Sequence, residues 1–398
     1  MANIGIVGIG HTKFGNLSGC SITELLSQAA IDALSDASFI ERRREVDQVF
    51  VANMASVLFC HQTSLASALV SQLDMIPVSA ETVENGPASG ASAIKLAYMA
   101  IASKMADFVL VVGGESMHTL TPWKTTDVVS TMLESETEYN VGLTLPAFGG
   151  MFTRLYSEKY GLTEKDLALL AVKAHANAAK NIYAHLQIPC FLEALTEGPD
   201  RTVINPPVAE PLRLYATCPV SDGAAAVLLA NLDSPKATGF PKIPIRIAGI
   251  ASATDTHCVH NRKDPLVLDA VRIATEKAYA MANIGPKDIS FAELHDAFSI
   301  LELAISEEAG LFERGKSFLA VRQGVTEIGG RLPVNTSGGL KAKGHPLGAS
   351  GVSQAVELVR QLRNEAEEGR QVANPSYGLA VNFGGFGNNV VALICAKG

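Results

Sequence analysis

Along the first 115 residues the apolar positions fall into two alternating patterns. "IGIVGIG" (4–10), "VDQVFVANM" (46–54) and "DFVLVVGGES" (107–116) are largely unbroken apolar runs. Between them, "SITELLSQAAIDALSDA" (21–37) and "SLASALVSQL" (64–73) repeat their apolar residues at helical spacing. The runs predict buried strands and the spaced segments predict amphipathic helices, the first with Ser21 as its cap. Strands without alternation, joined by helical crossovers, predict a largely parallel sheet covered on both faces. A further segment, "TVENGPASGASAIKLAYMAIAS" (82–103), passes from a strand through Asn85-Gly86-Pro87 into a long small-residue helix.

From Ser116 to Leu212 the alternation is lost. Turn signals stand at Thr121-Pro122, Pro189, Pro199 and Pro206-Pro207, and the only helix the pattern predicts runs from Thr163 to about Tyr183. Insertions of this length are usually lids or binding loops, so a subdomain covering a substrate or cofactor is expected. Alternation resumes at "PVSDGAAAVLLAN" (219–231) and continues with the strand "IPIRIAGIASA", the helix "DPLVLDAVRIATEKAYAMANI", the strand "ISFAELHDAF" and the helix "SILELAISEEAG". A glycine-rich loop, "NTSGGLKAKGHPLGASG" (335–351), opens the helix "VSQAVELVRQLRNEAEEG", and "YGLAVNFGGFG" and "NNVVALICAKG" close the chain as strands. The second half repeats the first in element order. It also repeats it in letters, since Ala88-Ser89-Gly90-Ala91-Ser92 and Ala349-Ser350-Gly351-Val352-Ser353 open the two long helices. The expectation is a duplicated fold whose two central helices pack closely about a pseudo-twofold axis.

Composition narrows the function. With 398 residues, 47% of them apolar and 34 glycines, the chain is long enough for two domains or one large layered body. A net charge of −8 speaks against general nucleic-acid binding, and no apolar run reaches membrane-spanning length. A strand beginning at the fourth residue leaves no room for a leader, so a cytoplasmic protein is expected. The six cysteines have no paired spacing, and His257-Cys258-His260 falls short of a four-ligand set; no metal is expected.

Open α/β sheets place their sites at strand ends and helix starts. The polar loops there are Asn85 to Gly90, Glu293 to Phe298, Asn335 to Gly351 and "NFGGFGNN" (382–389). His295 and His345 occupy matching glycine-flanked or strand-end positions, where a histidine can polarise a carbonyl oxygen or move a proton. A nucleophile belongs at the start of the helix near residue 88, where free N–H groups would activate a cysteine thiol. Pro87 stands there instead, with neither a thiol nor an N–H.

These motifs resemble those of thiolases. "NTSGGLKAKGHPLGASG" is similar to their C-terminal histidine motif, "CPVSDGAAAVLL" (218–229) to their Asp-Gly-Ala-Ala segment, and "HDAF" and "NIGIVGIGHTKFG" to archaeal and sterol-carrier-protein-type thiolases. The resemblance implies a thiolase fold of two βαβαβ halves in a five-layered αβαβα body. The N-terminal domain would span 1–240, with a loop domain inserted at about 116–212, and the C-terminal domain 241–398. It also implies acyl-CoA as substrate, with coenzyme A as the only cofactor. His345 matches the histidine that activates the nucleophile and lines an oxyanion hole, and His295 the group that helps build that hole. Asn382 falls where many thiolases carry an acid/base cysteine. "NFGGFGNN" resembles a segment of β-ketoacyl synthases, which makes Gly384 a backbone oxyanion donor. Ser337, Gly338 and Arg213 are expected at the CoA site, with Arg213 or Lys124 as the residue to reach a phosphate unless both are plain surface charges.

Pro87 departs from the family, since it occupies the nucleophilic cysteine position. Three readings follow. The chain makes or breaks a C–C bond without a covalent intermediate, as in retro-aldol or retro-Claisen chemistry; or it is a non-catalytic acyl-CoA-binding subunit, accompanied by a small zinc-ribbon/OB-fold partner; or Cys60 or Ser89 replaces the nucleophile. The family further implies a homodimer or higher oligomer, built on an edge strand near "VLVVGGES".

Overall fold

The computed structural model describes residues 2–197 and 200–397, so the turn expected at Pro199 lies outside the described residues. Nine strands form one continuous sheet. In chain order the strands are β1 (Ile4–His11), β2 (Gln48–Ala52), β3 (Ser79–Val83), β4 (Phe108–Glu115), β5 (Pro207–Ala209), β6 (Leu212–Arg213), β7 (Gly223–Asn231), β8 (Ile245–Thr254), β9 (Phe291–Leu294), β10 (Tyr377–Gly384) and β11 (Asn389–Lys397). Their order across the sheet is β3-β2-β4-β7-β1-β8-β11-β10-β9, with β5 and β6 paired separately.

The order within the sheet displays the duplication. β7 lies antiparallel between β4 and β1, and β11 lies antiparallel between β10 and β8. β2 runs parallel to β3 and β4, as β9 does to β10. An isolated parallel bridge from Ala292 to Val334 stands where β3 would have its counterpart. The expected largely parallel sheet is therefore mixed. The reason is the last strand of each half, which returns antiparallel into the middle of its own half-sheet. The halves meet through the pairs Gly5–Arg246 and Ile6–Ile245.

Five layers follow from where the apolar side chains point. Along β4, Phe108, Leu110 and Val112 pack with the Ile22–Asp36 and Leu65–Gln72 helices on one face, while Val109 and Val111 face the central layer. The central layer is the pair of helices Ser89–Ala102 and Leu347–Arg363. Helices Asp269–Ala282 and Ser299–Glu308 cover the outer face of the second half. Ser21 caps the first helix as expected, accepting from the Glu24 N–H at 3.2 Å while the Glu24 carboxylate accepts from the Ser21 N–H at 2.7 Å.

The repeated Ser-Gly letters mark the contact between the central helices. A Cβ on Gly90 would stand 2.8 Å from the Val352 nitrogen, and one on Gly351 would stand 2.4 Å from the Ala91 nitrogen. Backbone meets backbone there, which only glycine allows.

Two further expectations are corrected. The 116–212 region contains helices at Pro122–Ser130 and Leu145–Tyr160 besides the Glu164–Ala178 helix, which ends short of Tyr183. Leu145–Tyr160 escapes a periodicity reading because Gly149 and Gly150 interrupt it, and both are needed: their Cβ atoms would stand 2.9 Å from Phe298 and 2.5 Å from the Ala209 carbonyl oxygen. β4, which carries "VLVVGGE", is not an edge, since β2 and β7 flank it; the edge of that half is β3. Among the described residues no helix is long and apolar enough to cross a membrane.

Candidate active site

The turn Asn85–Ala88 leads from β3 into the first central helix. Gly86 takes a left-handed conformation (φ 55°), and the Ala88 and Ser89 N–H groups donate back to Asn85 O and Gly86 O at 3.1 Å each. Ser89 is committed to this turn, its hydroxyl accepting from the Asn85 N–H at 2.8 Å and donating to Gly86 O. Pro87 is thus a turn residue just ahead of the helix, whose cap is Ala88. It is buried, and it forms part of the wall of a cavity of about 370 Å³.

His295 and His345 line the same cavity, from opposite motifs of the second half. Their ring centroids are 4.9 Å apart with the planes at 88°. His295 follows β9. His345 precedes the second central helix, and two carboxylates fix its loop. Asp296 accepts from the Leu340 N–H at 2.6 Å, and Glu115, at the end of β4, accepts from the Gly348 N–H at 3.1 Å.

Hydrogen bonding sets the tautomers. The Ala91 N–H donates to Asn382 Oδ1 at 3.3 Å, which turns the Asn382 amide so that Nδ2 donates to His295 Nδ1 at 3.2 Å. The His295 proton is then on Nε2, as a donor. Ser350 donates its one proton to Pro346 O at 2.9 Å and accepts from His345 Nδ1 at 2.7 Å, leaving His345 Nε2 as a bare acceptor. One ring offers a proton and the other can take one.

Both rings are neutral. Burial holds His295 well below its ordinary value, with the neighbouring His345 adding to the effect. Burial, then the charge of Lys343, pushes His345 down from 6.5 to about 3. On unfolding, His345 regains its ordinary affinity for a proton, so the unfolded state binds more protons between those two values. Stability from this residue is complete above pH 6.5 and is lost as the pH falls toward 3, by about 1.4 kcal/mol per pH unit. His345→Gln is therefore expected to reduce the drop in melting temperature between pH 7 and pH 5.

The rest of the cavity wall is mainly apolar, with Met117, Met132, Leu145, Phe298, Phe383 and Phe386 prominent. Phe298, Phe383 and Phe386 come from the 293–298 and 382–389 loops where a site was expected, whereas Met117, Met132, Leu145 and Cys218, which also lines the cavity, were not expected there. Burial pushes the Cys218 thiol up to about 12, so it is not an activated nucleophile.

Other expected site residues lie elsewhere. Asn382 is behind His295, not on the wall. Gly384 packs against the Asn85–Ala88 turn, and it is its neighbour Gly385 that reaches the cavity. Ser337 is fully buried, with its N–H 3.0 Å and its hydroxyl 2.5 Å from the Glu293 carboxylate, and Gly338 packs on Ala178. Arg213 pairs with Glu164 at 2.6 Å, and Lys124 lies over the exposed Trp123 ring. Cys60 stands off the wall with its thiol 3.8 Å from Ser116 O, and burial and the Glu115 carboxylate raise its pKa. Glycine-rich motifs signal close backbone approach without saying which side faces a ligand, and Ser337 and Gly338 make their close approach inside the core.

Comparison with known proteins agrees with this architecture. The family model "Thiolase, N-terminal domain" matches residues 4–233 and "Thiolase C-terminal domain-like" matches 251–397. An acetyl-CoA acetyltransferase of Methanothermobacter thermautotrophicus is 35% identical over 397 residues, covering 100% of both chains. Sterol carrier protein 2 of Oryctolagus cuniculus is 30% identical over 401 residues, covering 98% of this chain and 71% of its own. Among solved structures, the Ltp2-ChsH2(DUF35) aldolase superposes with a TM-score of 0.82 at 26% identity, covering 100% of this chain and 98% of its own. With two thiolase models lying end to end along a duplicated fold, and a full-length relative at that identity, the chain belongs to the thiolase family.

Proposed function

We propose that this protein cleaves or forms a C–C bond in an acyl-CoA thioester by non-covalent enolate chemistry, with retro-aldol cleavage of a 3-hydroxyacyl-CoA as the reaction. The observation that carries this reading is the wall shared by Pro87, His295 and His345: the two histidines are set as donor and acceptor, and the residue at the helix start has no nucleophile. The inert environments of Cys218 and Cys60 support it, as does the likeness to an aldolase.

In the cleavage, His345 Nε2 takes the proton of the 3-hydroxyl group as the bond between C2 and C3 breaks. C3 leaves as an aldehyde or ketone. The electron pair moves into the thioester as an enolate, and His295 Nε2–H donates to its oxygen. The enolate charge beside His345 raises that ring's proton affinity above its resting value. The same proton then passes to C2, leaving a shortened acyl-CoA and both rings as they began.

The small partner subunit is part of the proposal. The aldolase that resembles this chain is named as a pair with ChsH2(DUF35), and an analogous subunit would assemble with this chain.

The test is incubation with a 3-hydroxyacyl-CoA, with and without free CoA, followed by product analysis and intact-mass measurement of the protein. Release of carbonyl product and a shortened thioester, independent of free CoA and with no protein adduct, is expected. An adduct on Cys60, or thiolysis that requires free CoA, overturns the proposal. Tight acyl-CoA binding without turnover, with the partner present, would make the chain a binding subunit instead.

A further inference from the structure

The Leu145–Tyr160 helix runs past two cavities. Leu145 and Pro146 face the histidine cavity of about 370 Å³, while Phe148, Met151, Phe152 and Leu155 face a second cavity of about 480 Å³. Phe386 belongs to the walls of both. Its ring lies 5.7 Å from Phe148, 5.6 Å from Phe152 and 6.5 Å from Phe383 between centroids.

What holds Phe386 differs between backbone and side chain. Its N–H donates to Asn388 Oδ1 at 2.8 Å, and Gly385 and Gly387 beside it occupy left-handed conformations (φ 61° and 82°). The ring is buried and makes no hydrogen bond, and its contacts with the three neighbouring rings are worth about 0.5–1.5 kcal/mol each beyond the area they bury. Turning the side chain out of the partition therefore breaks no hydrogen bond.

The second cavity is predominantly apolar, and its polar rim is already engaged. The Glu138 carboxylate accepts from the Val259 N–H at 2.7 Å and stands 3.3 Å from His260. Either cavity alone is at the small end of the range for ligand sites, roughly 300–1,000 Å³. Joined, they fit a ligand with a reactive thioester at one end and a large apolar body at the other.

We propose that Phe386 is the movable partition between two chambers of one acyl site, and that the substrates are CoA thioesters with a large apolar acyl tail, the tail lying in the chamber bounded by Phe148, Met151 and Phe152. This rests on the acyl-CoA reading above, and binding measurements separate the two. Calorimetric titration of the full chain with butyryl-CoA and decanoyl-CoA is expected to show a preference of about tenfold for the longer thioester. Phe386→Ala is expected to widen that preference, and Met151→Trp, which fills the second chamber from its rim, to remove it. Equal affinities for the two thioesters in the wild type and in Phe386→Ala overturn the two-chamber proposal and leave the acyl-CoA reading standing. If neither thioester binds a folded protein, both fall. Because Met151 is 45% exposed, its variant tests the chamber even if truncation of the buried Phe386 prevents folding.

Discussion

Replacing His295 with alanine is expected to lower kcat for cleavage of a 3-hydroxyacyl-CoA by about 10²–10³-fold with little change in KM, the loss typical of removing one oxyanion donor. The donor stabilises charge that exists only after the bond has begun to break, so ground-state binding is largely spared. The expectation depends on the tautomer, which Asn382 Nδ2 and the Phe383 N–H set together by donating to His295 Nδ1. Asn382→Leu removes the shorter of the two donor contacts to His295 Nδ1 and leaves the Phe383 N–H, so it is expected to lower kcat in the same direction but by less, with the ring in place. Steady-state kinetics of both variants check this. A His295→Ala protein with unchanged kcat would remove the histidine pair from the chemistry.

Pro87→Cys is expected to turn a protein that forms no acyl adduct into one that takes up a single acetyl group from acetyl-CoA, read by intact mass and mapped by peptide digestion. The substitution supplies a thiol where the chain enters the Ser89–Ala102 helix, whose positive dipole end favours the thiolate, and it places that thiol on the wall shared with His345. It also restores a backbone N–H that proline lacks. Pro87→Ala restores the N–H alone and is expected to remain unacylated. A folded Pro87→Cys protein that takes up no acetyl group would count against the geometry assigned to this site.

Much of the fold was legible because its interior is uncompromising. Strands such as β4 and β7 are buried on both faces and read as unbroken apolar runs, and Ser21 with Glu24 spells a capping box in four letters. The duplicated Ser-Gly letters were legible for the same reason, since backbone contact between the central helices leaves glycine no substitute. The Leu145–Tyr160 helix was not legible, because the glycines that let it approach Phe298 and Ala209 also erase its periodicity. His295 and His345 stood out by motif. Met117, Leu145 and Cys218 did not, since only the folded topology brings three distant stretches to one cavity wall. The direction in which β7 and β11 return was hidden as well, because a strand covered on both faces has the same letters in either orientation.

The bond between the Ala91 N–H and Asn382 Oδ1 has a consequence for ancestry. Ala91 belongs to the first repeat, while Asn382 and His295 belong to the second, so the first repeat sets which way the Asn382 amide faces the ring. A forebear with a single repeat could have had such a contact only by meeting a second copy of itself.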